Sequence, residues 1–120
     1  MHTSGSYRHM SPEEWDDRIA RADTIASSCR LCPHRCGVDR HKGERGWCRA
    51  PDEMIISSIF PHHGEEPPIS GTRGSGTVFF SHCTLRCIFC QNYQISHEGE
   101  GEAYTPERLA GRMMELQRAG

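Results

Sequence analysis

The sequence predicts an α/β chain in which a helix and a cysteine-rich knuckle precede a strand–loop–helix unit. Three observations carry this. A stretch near the start has a complete helix-start signal and helical spacing. Two short apolar runs, bounded by turn-forming residues, follow it with strand character. Seven cysteines fall into two groups, four before the first strand run and three just after the second.

Composition sets the limits. Apolar residues make up 35% of 120, with 12 Gly and 7 Pro. A core built from so little is thin, and metal ligation is a natural supplement. The net charge is −2, so no basic surface points to nucleic acid or to an anionic membrane. No stretch reaches the roughly 18 apolar residues of a membrane helix. Met1–Met10 lacks the hydrophobic core of a secretion signal. A cytoplasmic location follows as an expectation, with thiols kept reduced. An odd number of cysteines also argues against a closed disulfide framework.

Residues 1–10 read as a disordered leader. Residues 11–53 form the helix and knuckle, and residues 54–120 begin a larger core. The helix starts at Ser11, a good N-cap, with Pro12 at N1 and Glu14 at N3 completing a capping box. Trp15, Ile19, Ala22 and Ala26 make one apolar stripe, the mark of a packing helix. Residues 54–60 read as a strand, and 61–76 as a long polar loop. In that loop His62, His63, Glu65 and Glu66 read as solvated residues, with a metal site as the alternative. Thr77–Ser81 is apolar without alternation, which suits a strand buried on both faces in a parallel sheet. After a polar stretch, Thr105 caps a second helix with Pro106 at N1. Leu109, Met113 and Leu116 share one face of it, and it ends near Gly120.

The knuckle places Cys29, Cys32, Cys36 and Cys48 on a short, Gly-rich segment. Four thiolates satisfy tetrahedral zinc or a fully ligated iron–sulfur cluster. Arg30, Arg35, Arg40, Lys42, Arg45 and Arg49 surround them, and positive charge favours thiolates. Asp39 and Glu44 interleave with these bases, and Trp47 is the one aromatic among them, so a nucleic-acid platform is not indicated.

The second group is Cys83-Thr-Leu-Arg-Cys87-Ile-Phe-Cys90. Iron–sulfur clusters are held by Cys thiolates. Three ligands on a four-iron cube leave one iron open to bind a small molecule directly. The group follows a strand and precedes a helix, which is where (β/α) barrels place their active sites. The alternatives are a structural zinc site, with His82 or His97 completing Cys3His, and three unrelated thiols. Dinucleotide-binding, P-loop and nucleophile-elbow motifs are absent. No residue is assigned a catalytic acid, base or nucleophile role.

The stretch Gly74–Ser96, with its cysteine triad and Cys90-Gln-Asn-Tyr93, resembles the first strand and cluster loop of the radical S-adenosylmethionine (SAM) superfamily. Together with Gly64–Gly71 and the Cys29–Cys48 knuckle, it is most similar to the N-terminal portion of the pyruvate formate-lyase activating enzyme-like group. The resemblance spans roughly residues 25–120. It implies the N-terminal part of a partial (β/α) radical SAM barrel, incomplete in this chain. It implies that Cys83, Cys87 and Cys90 bind a [4Fe-4S] cluster and that SAM chelates the fourth iron. Reductive cleavage of SAM to a 5′-deoxyadenosyl radical is the implied chemistry. Phe89 matches a position that packs on the adenine. The implied partners are a reductant such as flavodoxin or ferredoxin and a protein substrate of the glycyl-radical enzyme kind. The group has Gly and Asn on either side of the first cluster cysteine, where this chain has His82 and Thr84. Its later strands and glycine-rich SAM-binding segment are not in the sequence, so a truncated or partial form is expected. The alternative is a small iron–sulfur or zinc-binding module without SAM turnover.

Overall fold

The structure is a computed structural model that describes residues 6–119. Helix α1 runs Pro12–Ser27. Strand β1 is Met54–His62, the short helix α2 is Pro67–Ser70, and β2 is Ser75–Phe80. A π-helical turn, Gln94–Glu98, precedes β3, Glu102–Tyr104, and helix α3, Pro106–Ala119.

The start of α1 follows the sequence closely. The Glu14 backbone N–H donates to Ser11 Oγ at 3.2 Å, and the Ser11 N–H donates to the Glu14 carboxylate at 2.7 Å. Each bond satisfies a donor that the first helical turn leaves open. The apolar stripe, however, is not a packing face. No residue of α1 is buried, and Trp15 and Ile19 are exposed. Its C-terminal half is tied to the knuckle by the Arg40 N–H to the Ala26 carbonyl at 3.0 Å and by His41 Nε2 to the Asp23 carbonyl at 3.3 Å. Helical spacing gives a stripe its direction, but burial needs a partner surface.

The sheet has the order β2-β1-β3. Both pairings are antiparallel, with Ile59 opposite Val78 and Ile55 opposite Ala103. This corrects the expectation of a parallel, doubly covered second strand. β2 is an edge strand of the described sheet, and Phe79 and Phe80 are exposed on it. The 61–76 loop also resolves further. β1 extends to His62, and α2 and the start of β2 occupy part of the remainder.

The core is small. Ile56, at 3% exposure in the central strand, and Leu109 of α3 are buried. Among the described residues the other two buried ones of hydrophobic type are Cys29 and Cys48. Thr105 caps α3, accepting from the Arg108 N–H at 3.2 Å. Arg108 then reaches back to Glu102 at 2.8 Å and lies over the Tyr104 ring at 3.8 Å, which pins the short β3 to the helix that follows it.

Of the expected leader, residues 1–5 lie outside the described residues, while Ser6–His9 form a 3-10 turn. Gly120, the expected end of the second helix, also lies outside. Among the described residues no helix is long and apolar enough to cross a membrane.

Candidate metal centre

The loop that leaves β2 is held at both ends. At its start the Ser81 N–H donates to the Ile55 carbonyl at 2.8 Å, and the His82 N–H to the Ile95 carbonyl at 2.9 Å. At its far end the Ser96 N–H donates to the Asn92 carbonyl at 2.9 Å. Cys83, Cys87 and Cys90 sit between these ties as free, partly exposed thiols. A turn bond from the Cys90 N–H to the Cys87 carbonyl, 3.1 Å, closes the last part of the loop. Ser96 Oγ donates to Cys90 Sγ at 3.3 Å. Leu85, Ile88 and Phe89 point outward, Phe89 at 87% exposure.

His82 precedes the first cysteine with a φ of +68°. That is left-handed backbone, costly for a residue with a Cβ. Its ring fills the space beside Gly99, where a Cβ would stand 2.4 Å from it. Burial holds the His82 imidazole below its ordinary pKa, and the nearby Arg45 charge adds to this. Its Nδ1 is buried without a hydrogen-bond partner. His97 stacks on Tyr93 at 4.3 Å, and with the Ser96 hydroxyl proton on Cys90 Sγ, its Nδ1–H donates to Ser96 Oγ, 2.8 Å away. It therefore lies one hydrogen bond beyond Cys90.

In the knuckle, Cys29 and Cys48 are buried, Cys32 is half-buried and Cys36 is exposed. All four line one cavity of about 360 Å3, which also reaches His82 and Thr84 of the triad loop. Arg40 is the residue that spacing alone did not single out from the other bases. Its Nη2 reaches Cys29 Sγ at 3.3 Å and Cys48 Sγ at 3.5 Å, and its Nη1 donates to the Ala50 carbonyl. Burial alone would lower its pKa, but the two thiols outweigh burial and raise it. The Cys29 thiol is lowered, first by the Leu31 backbone N–H, against the cost of burial and with help from Arg40.

Hydrogen bonds join the cysteine segments. His34 Nε2 meets the Thr84 carbonyl at 3.0 Å. Arg86 Nη1 donates to the Trp47 carbonyl at 3.3 Å. No sequence signal marked these cross-links, because their partners are 50 and 39 residues apart.

Both donor sets have the chemistry that thiophilic metals need: free thiols, three on one loop and four around one cavity. Among the described residues no three His, Cys, Asp or Glu side chains are gathered to metal-ligating distance. The fit is one of donor type and number. Elsewhere, His62, the last residue of β1, stands 3.8 Å from Glu65, with no third ligand among the described residues.

The chain is similar to an uncharacterized protein of Methanocaldococcus jannaschii, with 40% identity over 88 residues. The match covers 73% of this chain and 25% of that protein. The chain thus spans about a quarter of the length of the curated relative it matches. No family model and no solved structure matches it.

Proposed function

We propose that this chain carries the cluster-binding segment of a radical SAM protein. Cys83, Cys87 and Cys90 are the residues that would hold a [4Fe-4S] cluster, leaving one iron for the amino and carboxylate groups of SAM. The observation that carries the reading is the Cys-x3-Cys-x2-Cys spacing on one tethered loop that leaves a strand end. When bound, the cluster would supply the electron that cleaves the sulfonium carbon–sulfur bond of SAM.

The chain's own residues have separable roles in this reading. The ties at Ser81, His82 and Ser96 fix the loop ends. The Ser96 hydroxyl stabilises charge on Cys90 Sγ, as hydrogen bonds to cluster sulfurs do. Phe89 has an exposed ring next to the last ligand, suited to cover an adenine. The reductant is a flavodoxin or ferredoxin, and the hydrogen donor a protein of the glycyl-radical enzyme kind. A cytoplasmic setting, reducing enough to keep seven thiols free, belongs to the same proposal.

The antiparallel pairing of β2 with β1 favours a second reading, an iron–sulfur or zinc module that does not turn over SAM. Anaerobic reconstitution with iron and sulfide tests the ligand assignment. About four irons and four sulfides per chain are expected at the triad, lost when Cys83, Cys87 or Cys90 is replaced by Ala. Iron that survives all three substitutions would remove the assignment.

A further inference from the structure

The knuckle holds a second thiol set that the cluster proposal does not use. Its backbone is wound so that the four cysteines line one cavity. The Cys29 N–H donates to the Val38 carbonyl at 3.0 Å, and the Gly37 N–H returns a bond to the Cys29 carbonyl at 2.8 Å. This clasp sets Cys29 against Gly37 and Val38, the two residues that follow Cys36. The Trp47 N–H donates to Cys36 Sγ at 3.4 Å, which ties Cys36 to the residue before Cys48. Gly46 makes that approach feasible, since a Cβ there would be 2.9 Å from Cys36 Sγ. Arg40 closes the set by touching both Cys29 Sγ and Cys48 Sγ through one nitrogen. Cys32 lines the same cavity.

Backbone N–H groups and a cation aimed at several sulfurs offset the charge that four thiolates place around one divalent ion. We infer that Cys29, Cys32, Cys36 and Cys48 form a tetrathiolate zinc site that braces the triad loop. A zinc ion takes four thiolates in tetrahedral geometry. The complex carries two negative charges, and Arg40 neutralises part of them. Binding draws the four sulfurs together and orders the segment, as structural zinc does in small domains. The ordered segment presents His34 and Trp47, whose rings stack at 4.9 Å. These two residues make the hydrogen bonds to Thr84 and Arg86 of the triad loop. The small core explains the need. Among the described residues, Cys29 and Cys48 themselves are two of the four buried ones of hydrophobic type, so zinc supplies what apolar packing lacks.

This inference does not rest on the radical SAM reading, and its test leaves the triad out. The full chain with Cys83, Cys87 and Cys90 all replaced by Ala is purified and its metals measured. About one zinc per chain is expected, with X-ray absorption reporting four sulfurs at about 2.3 Å. Adding Cys32→Ala and Cys36→Ala is expected to abolish zinc binding. Stripping zinc with a chelator is expected to speed amide hydrogen exchange across residues 82–87. Absence of zinc, bound iron and sulfide in its place, or fewer than four sulfur ligands would overturn the site. Unchanged exchange in the loop after zinc is removed would overturn the bracing role.

Discussion

Four residues other than glycine adopt positive φ among those described: Arg35, Arg49, His82 and Arg86. Each is next to a cysteine in sequence. Backbone of this kind costs energy and concentrates where a site demands it. The cysteine spacing was legible before the structure was known, but the strained neighbours and the choice of Arg40 were not, since both depend on how the chain folds around the thiols. Gly99, at φ +75° and against the His82 ring, has no room for a methyl group. Gly99→Ala is expected to cost about 1–2 kcal/mol in denaturant unfolding. Replacing Ser96 by Ala removes the hydroxyl donor to Cys90 Sγ, so the cluster's reduction potential, measured by redox titration, is expected to fall. His41 gives a pH test. Asp52 and the Asp23 carbonyl hold its pKa above the ordinary 6.5. A raised folded pKa stabilises the protein fully below the unfolded value, and the benefit is lost as pH rises through the folded value. As pH rises from about 6.5 through the raised folded value, Tm is therefore expected to fall through this group, and His41→Asn to remove that part of the slope. The group is well exposed, so the effect is small.

At the scale of elements, local signals and burial part company. The capping box of α1 and the Thr105 cap of α3 were readable because they are chemistry between near neighbours in sequence. The stripe on α1 is apolar in sequence but unpacked in the fold, because nothing in a periodic pattern supplies the opposing surface. β3 leaves no mark in the sequence for a different reason. Glu102, Ala103 and Tyr104 are too few to show alternation, and the strand exists through its pairing with Met54–Ile56. β2 looked buried on both faces because its residues are apolar, yet it lies at a sheet edge with exposed Phe79 and Phe80. These differences predict unequal sensitivity. Ile56→Ala is expected to cost about 2–5 kcal/mol of global stability. Ser11→Ala is expected to fray α1, seen as lost helical circular dichroism, while the unfolding midpoint reported by the sheet stays within about 0.5 kcal/mol of the parent.

The whole molecule brings two thiol groups together around a sheet with little apolar core. The knuckle and the triad loop touch through His34 and Arg86, and one cavity spans both. Metal at either group would therefore stabilise more than its own segment. The central claim concerns Cys83, Cys87 and Cys90, and it is tested most directly by electron paramagnetic resonance of the anaerobically reconstituted, reduced chain. The account predicts a cluster signal that changes when SAM is added, because one iron is free to bind it. A cluster whose spectrum is indifferent to SAM, or no cluster signal at all, would contradict it.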